Sequence, residues 1–139
     1  MTRRPFRLLP HTADLRVEVR ADDFPSLCAA SVEALFSLLT DRRKIRRFER
    51  RTLDSGSGSP EERLLAILRQ ALLLFSLDRF LVREAGAMMN SGTILVTVHG
   101  EPMDGSRHSA HREIKAVTAH ALAVEKGPSG FTARFILDV

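Results

Sequence analysis

Leu15, Val17 and Val19 alternate with Arg16, Glu18 and Arg20, the period-two pattern of a half-buried strand. Asp22-Asp23-Phe24-Pro25 follows and supplies a helix N-cap with proline in the first turn. Cys28, Val32, Leu35, Phe36 and Leu39 then recur at helical spacing, predicting a helix of about four turns ending near Thr40 or Asp41. Residues 43–53 hold only Ile45 and Phe48 as internal apolar positions, a weak strand pattern. Ser55-Gly56-Ser57-Gly58 reads as a flexible turn, because neither flank could bury a core alone. Ser59-Pro60-Glu61-Glu62 places serine at the N-cap, proline at N1 and glutamate at N3, a capping box. The stripe of the second helix is Leu64, Leu68, Ala71, Leu72 and Phe75, widened by Leu65, Leu73 and Leu74. It shares its spacing with the first helix, so the two should lie side by side on a sheet face. Strand-like runs cover 80–83 and 94–99. Residues 114–124 stay open between strand and helix because alanines blur the period. Phe131, Ala133, Phe135 and Leu137 mark a terminal strand. Strands on both sides of two helices predict an α+β two-layer sandwich.

At 139 residues the chain should form a single domain, residues 1–139, and bury roughly 68% of its unfolded surface. Its 44% apolar and 27% charged residues and mean hydropathy of -0.07 exclude disordered and collagen-like classes. No apolar run reaches the ~18 residues of a membrane span, and no apolar segment follows Arg3-Arg4-Pro5 to suggest a secretory signal. The single cysteine, Cys28, fits a reducing compartment, so a cytoplasmic location without membrane partners is expected. Its place on an apolar stripe makes it core rather than nucleophile.

The net charge is +4, yet the pI is about 10.2, because all but three of the 21 basic residues are arginine. Seven of them fall between Arg42 and Arg51. That stretch could meet RNA or an acidic protein surface, or it could be a solvated basic strand. With Phe48 as its only aromatic and no Trp or Tyr in the chain, a base-stacking platform gains little support.

Strand parity gives the most specific chemistry. Asp14 shares the polar face of the first strand, and Asp138 belongs with Thr132 and Arg134 on the last. If these strands pair antiparallel, the two aspartates become cross-strand neighbours with Cβ atoms roughly 5 Å apart. Two such carboxylates repel unless a proton, an arginine or a cation lies between them. The carboxylate of Val139 adds a third oxygen donor, and an all-oxygen set suits Ca²⁺, Mg²⁺ or Mn²⁺. Two unrelated surface aspartates remain the plain alternative. His108-x-x-His111 near Asp104 lacks cysteine partners or an HExxH helix and reads as a loop. Lys115, set among apolar neighbours, must snorkel or meet a carboxylate or phosphate. Nucleotide-binding and serine-hydrolase motifs are absent from the sequence.

His11-Thr12-Ala13-Asp14 before a strand, Gly100-Glu101, Ile114-Lys115-Ala116-Val117-Thr118-Ala119-His120 and the ending Leu137-Asp138-Val139 together resemble the archease family, from about Phe6 to the last residue. The sequence departs from the family pattern at Ala119, usually aromatic, and in Leu65-Ala66-Ile67-Leu68-Arg69-Gln70, where a tryptophan and an acidic-amide pair are usual. The resemblance implies a mixed β-sheet with two helices packed on one face. It also implies an accessory protein rather than an enzyme. Archeases promote the metal-dependent guanylylation, and hence multiple turnover, of the tRNA-splicing RNA ligase. Metal-binding positions then map to Asp14, Asp138 and Val139, and functional positions to Lys115 and His11. The expected cofactor is a divalent cation, Ca²⁺ first and Mg²⁺ or Mn²⁺ as alternatives. The expected partner is that ligase, with tRNA met indirectly and no DNA. Two other classes stay open: a chaperone-like binding module for RNA-processing enzymes such as tRNA methyltransferases, and a small metal-dependent hydrolase built on His11, Asp14 and His120.

Overall fold

A computed structural model describes residues 6–9 and 14–139. The elements run β1 (Phe6–Leu9), β2 (Leu15–Ala21), α1 (Phe24–Leu39), a short 3-10 turn (Arg42–Lys44), β3 (Glu49–Asp54), α2 (Pro60–Ser76), β4 (Phe80–Asn90), β5 (Thr93–Pro102), β6 (Ala116–Gly127) and β7 (Gly130–Asp138). Both helices start where their caps predict. The Asp23 side chain accepts from the Ser26 N–H at 2.8 Å. Ser59 Oγ accepts from the Glu62 N–H at 3.1 Å, while Glu62 Oε1 accepts from the Ser59 N–H at 3.0 Å. Ser59→Ala removes one half of this box and is expected to cost about 1 kcal/mol, read as a lower urea midpoint at unchanged slope.

The α+β class holds, but the single mixed sheet becomes two antiparallel sheets. Their orders are β1-β2-β7-β6 and β3-β5-β4. The cause is topological. The crossover β3-α2-β4 would make a parallel pair, but β5 folds back between its strands, so each pairs antiparallel with β5 instead. Ser91 and Gly92, with φ of 51° and 86°, form the tight turn that returns β4 into β5. The alanine-rich run resolves as strand β6, pairing with β7 on either side of an irregularity between Thr118 and Ala123.

Helix α1 packs against β2 and β7 of one sheet and β4 and β5 of the other, while α2 packs against β6, β3 and β4. Ten residues of α1 are therefore buried, from Leu27 and Cys28 to Leu38 and Leu39. Buried Ser31 satisfies its hydroxyl by donating to the Leu27 carbonyl at 2.7 Å. α2 buries only one stripe: Leu64, Ile67, Leu68, Ala71, Leu72 and Phe75. Leu73 on its free face is half exposed. Fully buried side chains such as Phe36, Leu35 and Ile67 each contribute roughly 1.5–3 kcal/mol of transfer free energy.

The outer face of the four-stranded sheet is polar but not simply solvated. Glu18 is buried there between Arg7 at 2.8 Å and Arg134 at 2.9 Å. Burial pushes its pKa up, but the hydrogen bonds from Arg7 and Arg134 outweigh burial and hold it below the ordinary value.

Candidate functional site at the strand tips

The β2–β7 ladder runs from Ala21 opposite Phe131 to Leu15 opposite Leu137. Asp14 directly precedes Leu15 and Asp138 directly follows Leu137, so the same register continued by one step would set the two aspartates opposite each other on one face. On the other side of β7, Ala116 pairs with Asp138, and the Lys115 N–H donates to the Asp138 carbonyl at 2.7 Å. Three chain segments thus meet at one sheet tip: the start of β2, the end of β7 and the approach to β6. Asp14 is half-buried, and Asp138 and Val139 are exposed.

Lys115 has the opposite parity. It aligns with core residue Val117 and lies toward α2, where it lines a cavity of about 660 Å³ with Phe75, Arg79, Ala110, Arg112 and Ile114. Arg79 adopts φ 53° just after α2 and holds its guanidinium 4.8 Å from the Phe75 ring centroid. Arg79, Arg112 and Lys115 face a single acid on the rim, Glu113, so the cavity suits an anion. The tip therefore presents two carboxylates on one side and a cationic cavity on the other.

The donor chemistry fits a hard divalent cation. The Asp14 and Asp138 side chains and the Val139 main chain offer only oxygen. Among the described residues no three His, Cys, Asp or Glu side chains converge on one point. His11 lies outside the described residues. His120 is exposed at the β6 irregularity, next to Ala121 with φ 57°. β6 is separated from β2 by β7, so His120 and Asp14 are not neighbouring-strand partners.

His108 and His111 do not form a pair. His108 is buried, its Nδ1 accepting from the Asp104 N–H at 2.9 Å and its Nε2 lying 3.1 Å from Glu101. His111 is exposed and uses its backbone N–H on the Leu39 carbonyl at 2.7 Å. Cys28 is core, and burial pushes its thiol up to about 12 against the opposing pull of Arg63, so it has no thiolate chemistry near neutrality.

The profile of the Archease protein family matches residues 6–139. The chain belongs to the archease family. It is 28% identical over 139 residues to Protein archease of Methanopyrus kandleri, with 97% of this chain and 99% of that protein covered. It is 24% identical over 134 residues to Protein archease of Pyrococcus abyssi, covering 93% and 94%. The solution structure of Methanobacterium thermoautotrophicum protein 1598 has the same fold, with a TM-score of 0.81 at 22% identity over 99% of this chain and all of that one. Archease membership places the chain among accessory proteins of RNA processing. No helix among the described residues is long and apolar enough to cross a membrane.

At the archease departures the chain makes its own contacts. Arg69 donates to the Val117 carbonyl at 3.3 Å, and Gln70 bonds both backbone groups of Asp54, at 2.7 and 3.2 Å, so this turn of α2 ties β6 to β3. Pattern reading missed the role of Glu101. Its carboxylate, 2% exposed, accepts from the Arg46 N–H at 2.6 Å and from both Arg107 guanidinium nitrogens at 2.6 and 3.2 Å. The available signal was the preceding glycine. A Cβ on Gly100 would lie 1.8 Å from the Leu81 carbonyl oxygen, beside the register shift between Val82 and Glu84 in β4.

Proposed function

We propose that this protein activates a tRNA-splicing RNA ligase by promoting the metal-dependent guanylylation of its active-site histidine. The supporting observation is the β2–β7 register, whose end pair Leu15–Leu137 adjoins Asp14 and Asp138, at the same sheet tip as the cavity that Lys115 lines. Asp14, Asp138 and a main-chain oxygen of Val139 would hold a divalent cation, Ca²⁺ before Mg²⁺ or Mn²⁺. Such an ion neutralises charge on a triphosphate and on departing pyrophosphate. Lys115, with Arg79 and Arg112 around it, binds phosphate oxygens and keeps them oriented toward the tip. The Lys115 N–H, held by the Asp138 carbonyl, fixes the spacing between cavity and carboxylates.

The test is single-turnover guanylylation of the cognate ligase with GTP, with and without this protein. Wild-type protein should accelerate it. Lys115→Ala should reduce the acceleration about tenfold, the loss of one charge-assisted contact, with an unchanged melting curve because the side chain is exposed. Absence of acceleration by the wild type would remove ligase activation. Acceleration untouched by Lys115→Ala would shift the function to a docking surface, as in a chaperone-like binding module.

A further inference from the structure

We propose that Arg46, Phe48 and Arg50, with His99 alongside, form a contact strip for single-stranded RNA. Of the seven cations in residues 42–51, four are tied down. Arg42 reaches Glu33 at 3.6 Å, Arg43 reaches Asp41 at 3.0 Å, Arg47 pairs with Glu84, and Arg51 reaches Glu49 at 2.9 Å. Arg51 also lies over the Phe80 ring, 4.5 Å from its centroid. Among the described residues, Arg46 and Arg50 have no acid within ion-pair distance, and both are exposed.

The pattern alternates. Ile45 is buried, Arg47 is paired and Arg51 is stacked, whereas Arg46, Phe48 and Arg50 face solvent. In extended chain, alternate residues stand roughly 7 Å apart on one side, so the strip offers cation, ring, cation in sequence. Phe48 is 74% exposed, an aromatic face left uncovered between two arginines. His99 is the register partner of Arg50 and brings a second ring to that face of the three-stranded sheet.

Each component has a counterpart in a single strand of RNA. Arginine forks bind phosphates bidentately, and an exposed ring accepts a base by stacking without reading its sequence. An acidic peptide would use the two arginines but leave Phe48 without a role. The strip lies on the sheet that does not carry Asp14 and Asp138. It therefore goes beyond ligase activation and can fail or hold independently of it.

The experiment measures fluorescence anisotropy of a labelled, unstructured RNA of about 12 nucleotides, long enough to span one single-strand site. Phe48→Ala should weaken binding about tenfold, and Phe48→Tyr, which keeps the ring, should restore it. Arg46→Gln/Arg50→Gln should weaken binding and flatten the plot of log affinity against log salt by about 1.4, the slope owed to two phosphate contacts on a single strand. The charge-matched Arg20→Gln/Lys126→Gln variant, placed on the other sheet, should bind as wild type. Equal weakening by that control, or no binding by wild type at low salt, overturns the proposal. Polyglutamate binding as tightly as RNA, with Phe48→Ala neutral, assigns the strip to an acidic protein instead. Phe48→Ala should leave RNA-free guanylylation of the ligase unchanged, and loss of that activity would make Phe48 a ligase contact and also defeat the RNA assignment.

Discussion

Asp14→Ala/Asp138→Ala is expected to abolish stimulation of ligase guanylylation while leaving the fold intact. Neither side chain belongs to the apolar core, and Asp138 is exposed beyond the last ladder pair, Leu15–Leu137. A cation shared by the two carboxylates would bind the native chain and not the unfolded one. Stability should therefore show a cation effect separately from activity. At one hundred times its dissociation constant, a cation bound only by the native state adds about 2.7 kcal/mol, or roughly 10 °C in melting temperature for a chain this size. Wild type should show that rise on adding Ca²⁺ and lose it with chelator, whereas the double variant should show neither change. Asp138→Asn alone, without cation, should be close to neutral, because the side chain is exposed and outside the core. Identical melting of wild type and double variant in Ca²⁺ and in chelator would disprove a cation site at this tip. Full stimulation by the double variant would disprove its role in activation.

The facing of β2 and β7 was legible because it depends on parity. Alternation fixes which residues of β2 and β7 share a face, and the chain's last strand had few antiparallel partners that would keep both apolar faces buried. Caps were legible for the same local reason: Asp23 and Ser59 act within three residues of themselves. What sequence concealed was non-local. The breadth of burial on α1 depends on a second sheet behind it, which no helical period reveals. Ile67 joins the α2 stripe, at i+3 from Leu64 and i−4 from Ala71, while Leu73 stays half exposed, so the buried face is narrower than the apolar run around it. The latter half of β4, from Glu84 to Asn90, has a weak strand composition and is held by its hairpin with β5. Glu18 reads as a solvent residue by pattern, yet two arginines from neighbouring strands close over it. His108 reads as a loop histidine, yet it is buried, with Glu101 across the strand end and a loop backbone N–H as its partners.

Glu101→Gln should be the most destabilising polar substitution in the chain, because it strips the anion from a buried cluster and leaves the cluster's donors in place. Arg46 N–H, both Arg107 nitrogens and His108 Nε2 all converge on this carboxylate. Nδ1 of His108 accepts from Asp104 N–H, which puts the ring proton on Nε2, where it donates to Glu101. Breaking a buried charge pair from one side costs about 3–5 kcal/mol, a large share of the 5–15 kcal/mol that holds a domain together. The same cluster sets the chain beyond it. Thr40 Oγ1 donates to the Ser109 carbonyl at 2.7 Å, and from there the segment delivers Ala110, Arg112 and Lys115 to the cavity. The variant should therefore lose part of the ligase stimulation as well as stability. Acid titration isolates the group. Hydrogen bonds from Arg107, opposed by burial, hold the Glu101 carboxyl at about 2, below its ordinary value. Between that pKa and the ordinary carboxylate value the unfolded chain binds the extra proton, so the stabilisation is complete above about pH 5 and fades as pH falls toward 2. Its full size is on the order of 3 kcal/mol, and the half-open side of Arg107 reduces it somewhat through solvent screening. Glu18, Asp41 and Asp104 are also held below their ordinary values and slope the same way, so the informative quantity is the difference between the two proteins. Urea unfolding from pH 7 to pH 3 should show wild type and Glu101→Gln converging as the medium becomes acidic. Parallel curves would mean that Glu101 is not the carboxylate that anchors this loop.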